Sequence, residues 1–124
     1  MPDYDPSFRP PAPVVPVEVR NPVTGASIRV RAQIDTGTST SVLSLAAVAD
    51  LDLASSGTMQ AANFDGTLYR LSTYLVTLLL EGYVVLGAEI AAGTRNDLLL
   101  GRDILQHFVL TLNGKAETFE LVDP

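Results

Sequence analysis

Between Leu71 and Ala92 the chain reads LSTYLVTLLLEGYVVLGAEIAA, the one stretch apolar enough to weigh as a membrane span, which needs about twenty such residues. Glu81-Gly82 lies in its middle and Glu89 near its end, and carboxylates there would cost several kcal/mol in hydrocarbon. The same Glu-Gly pair is a natural turn between two buried strands, and that reading is preferred. A chain built around such a hairpin is a β protein, with no membrane partner.

The flanking segments follow suit. Val17-Glu18-Val19-Arg20 alternates, Asn21 to Gly25 is a turn, and Ser27 to Ile34 alternates again with its apolar residues at even positions. Thr58 to Asn63 and Thr67 to Leu71 flank Phe64-Asp65-Gly66, a second hairpin with a polar tip. Leu98-Leu99-Leu100 is a short buried strand, and 108–112 with 118–122 form a closing hairpin around Asn113-Gly114. Helix is expected only near 101–107 and, behind a Ser44 cap, near 44–50. Short strands with little helix indicate an all-β barrel or sandwich.

Residues 1–16 hold six prolines and have neither a basic nor an apolar region of signal-peptide type, so they read as an extended arm, with 17–124 as a single domain and a cytoplasmic location expected. The 124 residues are 47% apolar and 18% charged, enough for a packed core without staples. A net charge of −6 without a Lys/Arg cluster argues against a nucleic-acid partner. Zero cysteines exclude thiolate nucleophiles and Cys-ligated zinc, and the single His107 cannot build a His₃ or HExxH site, so no metal or cofactor is expected. His107 reads as a partner for a helix C-terminus, and Tyr69, Tyr74 and Tyr83 read as strand residues on a core face.

The informative segment is Ala32-Gln33-Ile34-Asp35-Thr36-Gly37-Thr38-Ser39-Thr40-Ser41: an apolar strand ending in a carboxylate, followed by hydroxyl residues that can donate hydrogen bonds to it, with a glycine that permits a tight turn. Alone, this is also ordinary turn composition. Sixty-six positions after Asp35 stands Gly101, within Leu99-Leu100-Gly101-Arg102-Asp103, where a leucine strand runs into a helix start.

The two segments, in this order and spacing, resemble those of the single-domain retropepsin-like aspartic proteases, and the resemblance covers nearly all of the folded part. It implies a closed acid-protease-like β-barrel. It also implies an aspartic endopeptidase with Asp35 as its catalytic residue, Thr36 bracing the loop across a two-fold axis, Gly37 offering backbone contacts to substrate, and Thr38 beside the carboxylate. Asn63, Phe64, Asp65 and Gly66 fall where the family keeps the flap that closes over bound peptide. Leu100, Gly101, Arg102 and Asp103 would support the active-site loop from behind. Two departures stand out: Phe64 occupies a tip that is glycine-rich in retroviral members, and Ser39 replaces an acid that in some members pairs with the helix arginine, leaving Arg102 to find another partner.

Amide hydrolysis by carboxylates needs two of them sharing one proton, one activating water while the other polarises the carbonyl. Two such groups a few ångströms apart cannot both ionise, so the pair works best on the acid side of neutral. The chain holds one Asp-Thr-Gly and no repeat. The second carboxylate is therefore expected from a two-fold mate, which makes a homodimer and a peptide or protein substrate the expected partners. The proline-rich arm and Thr118 to Val122 are candidate intersubunit edges. The alternative readings are a catalytically inactive retropepsin-like binding or assembly module, and an unrelated barrel with a small-molecule pocket.

Overall fold

The computed structural model describes residues 1–123. They form strands β1 (Val14–Arg20), β2 (Ser27–Ile34), β3 (Val42–Ser44), β4 (Ser55–Ala62), β5 (Leu68–Leu80), β6 (Tyr83–Gly93), β7 (Leu98–Leu100), β8 (Val109–Asn113) and β9 (Thr118–Val122), with short helices α1 (Leu45–Asp50) and α2 (Arg102–Leu105). The main sheet runs β1-β2-β7-β3-β6-β5-β4, and β1 also pairs with β5, closing six strands into a barrel and leaving β4 outside the ring on β5. The expected all-β barrel is thus the fold. No helix among the described residues is long and apolar enough to cross a membrane.

The apolar stretch is the wall of this barrel. β5 and β6 pair antiparallel, with Leu80 opposite Tyr83 across Glu81-Gly82, whose φ values of +50° and +75° make the tight turn. Val76, Leu78 and Ile90 are fully buried, and they meet Val15, Val17 and Val19 of β1, Leu43 of β3, and Leu98 and Leu100 of β7 in one core. α1 begins where Ser44 Oγ accepts the Ala47 N–H (3.1 Å), and it lays Ala47 and Val48 on that core. α2 is four residues long, shorter than the 101–107 expected. After Leu105 the chain swings Phe108 against the Tyr83 ring (5.3 Å), and His107 stacks on the same ring (5.7 Å).

β1 starts at Val14, inside the stretch read as an arm, because Val15 and Val17 both face the core. The residues before it lie along their own chain. Tyr4 N donates to Glu117 O (2.7 Å), Phe119 N donates to Pro2 O (3.0 Å), and the Tyr4 and Phe119 rings are 6.3 Å apart. Asp5 and Ala12 close a loop by mutual backbone hydrogen bonds, and Asp5 is ion-paired with Arg31 of β2. The arm and β9 therefore pair with each other within one chain.

Candidate active site

β2 and β7 are parallel neighbours, with Ile34 opposite Leu100, so both strands leave the sheet at the same end. This pairing brings Asp35 beside Gly101 despite their separation in sequence, and Asp35 N donates to Leu100 O (2.9 Å) as a continuation of the ladder. β7 lies between β2 and β3. Residues 35–41 must therefore arch from β2 to β3 over the end of β7, which places them on top of Gly101.

That arch leaves no room for a side chain at Gly101. A Cβ there would lie 2.8 Å from Thr38 O and 3.0 Å from the Thr40 carbonyl carbon. The loop is then tied down from several directions. Arg102 N donates to Thr38 O (2.8 Å), and the Arg102 guanidinium Nη1 donates to Thr36 O (2.6 Å), so a backbone carbonyl takes the place of the acidic partner that Ser39 does not supply. Fully buried Ser41 donates its N–H (3.0 Å) and its hydroxyl (2.7 Å) to the Asp103 carboxylate and accepts the Gly101 N–H on its Oγ (2.9 Å). Leu100 is buried in the core beneath.

Asp35 itself is half-buried. Its Oδ1 accepts the Gly37 N–H (2.9 Å) and its Oδ2 accepts the Thr38 hydroxyl (3.1 Å), so both oxygens are oriented by donors. Thr36 is exposed, and among the described residues its hydroxyl has no hydrogen-bond partner. Gly37 and Thr38 line a cleft of ≈ 460 Å³ whose far side is the β4–β5 hairpin, through Met59, Ala61, Tyr69 and Leu71. These four share one face because Met59 pairs with Leu71 and Ala61 with Tyr69.

The sequence reading thus finds its active-site and supporting residues together. The hairpin tip stands apart: Asn63, Phe64 and Asp65 line a separate hollow with Ala62 and Tyr69, and Phe64 is wholly exposed. Ser41 was read only as one of the segment's hydroxyl residues; Tyr69, read as facing the core, is instead exposed and lines the cleft, and Met59, Ala61 and Leu71 were not singled out from sequence. Ser41 carried no signal, since its role depends on a contact 62 residues away. The strand alternation of Met59 and Ala61 against Tyr69 and Leu71 was the available clue to the cleft.

Neither a protein-family profile nor a curated protein sequence matches the chain. Solved structures do. The EIAV protease in complex with the inhibitor HBY-793 superposes with a TM-score of 0.62 at 23% identity, over 77% of this chain and 86% of that one. The solution structure of the simian foamy virus (mac) protease gives 0.57 at 20% identity, over 76% and 92%. The fold is that of the retropepsin-like aspartic proteases.

Proposed function

We propose that the protein is an aspartic endopeptidase that works as a homodimer, with Asp35 of each subunit at a shared two-fold axis. The observation that carries this reading is the Asp35 carboxylate, oriented on both oxygens, on a loop that is braced by Arg102 and Ser41 and whose Gly37 and Thr38 line a cleft. In the dimer one Asp35 carboxylate takes a proton from a water held between the pair, and the resulting hydroxide attacks the peptide carbonyl carbon. The other, protonated, donates to the carbonyl oxygen, and the proton taken from water passes to the departing amine nitrogen. The free Thr36 hydroxyl is the group best placed to meet its mate across the axis, and the β4–β5 hairpin covers the peptide.

Asp35→Asn tests this directly. Cleavage of an unstructured peptide is expected to fall by about 10³-fold or more while the fold, followed by circular dichroism, persists. Sedimentation of the active wild type is expected to show a dimer. Full activity in the Asp35→Asn protein overturns the reading, and a monomer that binds peptides without cutting them between pH 3 and 8 supports the inactive binding module instead.

A further inference from the structure

The described residues lining the cleft under the hairpin carry no charge, whereas a larger hollow along β2 gathers three arginines. That hollow, ≈ 630 Å³, is lined by Arg29 and Arg31 of β2, Arg95 of the β6–β7 loop, and Ser7 and Phe8 of the arm, with Asn96 and Asp97 at its floor. Three of the eight Lys and Arg residues of a chain with net charge −6 converge there. Asp97 is the only carboxylate in the lining, and it is held by Arg95 Nε (2.8 Å). Asp5, at the margin, is held by Arg31. Among the described residues Arg29 makes no ion pair, so the hollow keeps an excess of positive charge.

Its position relative to Asp35 follows from strand geometry. Arg29, Arg31 and Gln33 alternate onto one face of β2, and Asp35 follows directly on its last residue, Ile34. At about 3.3 Å per residue, Gln33 lies about 7 Å, Arg31 about 13 Å and Arg29 about 20 Å along the strand from Asp35. Arg95 also donates from Nη2 to Gln33 Oε1 (3.2 Å) and borders a third hollow with Arg70 and Tyr74, which shares Tyr69 and Leu71 with the uncharged cleft. A peptide extended from the uncharged cleft past Arg95 would enter basic surroundings within about six residues of the cleaved bond.

We infer that Arg29, Arg31 and Arg95 form a specificity subsite for an acidic side chain of the peptide substrate, flanking an apolar segment that occupies the cleft. This rests on the endopeptidase reading, and a closing experiment separates the two. A set of otherwise identical unstructured peptides carries Glu, or Gln as control, at each of the six positions on either side of the cut. At one or more positions Glu is expected to raise kcat/KM about three- to tenfold over Gln, and the preference is expected to fade as salt rises from about 0.05 to 0.5 M. Arg29→Gln and Arg95→Gln are each expected to bring the ratio of Glu to Gln peptides towards one.

Binding of the same peptides to the Asp35→Asn protein is the second arm. Cleavage with equal rates for Glu and Gln peptides at every position overturns the subsite and leaves the protease reading intact. Absence of cleavage, with tighter binding of Glu peptides that needs Arg29, supports the subsite and overturns the protease reading. Equal binding of Glu and Gln peptides overturns the subsite in either case.

Discussion

The two sides of the cleft are built on opposite plans. The floor, residues 35–41 with 101–103, is stitched by hydrogen bonds that span 60 to 66 residues of sequence, from buried Ser41 to Asp103 and from Arg102 to the Thr36 carbonyl. Among the described residues the hairpin tip is hydrogen-bonded only by its nearest neighbours: Asn63 N to Thr67 O (2.9 Å), Gly66 N to Asn63 O (3.0 Å) and Thr67 N to Asp65 Oδ1 (2.9 Å). Local opening costs least where contacts are few and exposed. The floor that carries Asp35 is therefore the part the whole barrel holds in place, and the hairpin tip is the part least restrained.

Substitutions can test this contrast. Gly101→Ala forces a methyl against the Thr38 carbonyl, and is expected to lower stability by about 1–3 kcal/mol and to reduce activity with it, as read by urea unfolding and peptide cleavage. Ser41→Ala leaves the Asp103 carboxylate and the Gly101 N–H without their partner and is expected to cost about 1–3 kcal/mol, with a smaller loss of activity than Gly101→Ala. On the other side, Phe64→Ala is expected to leave stability within about 0.5 kcal/mol while changing KM for peptides, which would place the tip in contact with substrate only. An unfolding midpoint lowered as far as in Ser41→Ala would erase the distinction between the two sides.

The smallest effect concerns protonation. Hydrogen bonding from the Thr67 side chain, and then from its backbone N–H, holds the fully exposed Asp65 carboxyl below its ordinary value of 3.8. A depressed carboxyl contributes to the tip fully above the unfolded value and loses that contribution as pH falls through the lower folded value. An NMR titration of Asp65 should give a midpoint below 3.8, and Thr67→Ala should move it back up. A midpoint at or above 3.8 in the intact protein would show that the tip is not closed by this contact.

Much of the barrel was legible because its turns are written locally. Glu81-Gly82 both adopt positive φ, Gly66 does so at +85°, and the Ser44 cap starts α1 as expected. The last hairpin shows how far that goes. Asn113-Gly114 announced a turn, yet the loop is four residues long. Asn113 Oδ1 accepts the Ala116 N–H (3.0 Å), and the positive φ falls on Glu117. Asp35 and Arg102 stood out through their motif, whereas Ser41 did not, since nothing in a serine signals that two parallel strands will bring an aspartate to it from 62 residues away. The lining of the cleft is legible only from register: composition picks out the hairpin tip, whereas the pairing of β4 on β5 decides which side chains line the cleft with Gly37.

The parallel pairing of β2 with β7 also governs when the Asp35 loop can be braced. A nascent chain has made Asp35, Gly37 and Thr38 long before Gly101 leaves the ribosome, and until then the loop lacks the floor it rests on. Joining ends so far apart carries a loop-closure penalty that local turns escape, so the floor assembles after the hairpins. A partly synthesised chain therefore carries Asp35 on a loop whose bracing partners, Arg102 and Asp103, have still to arrive.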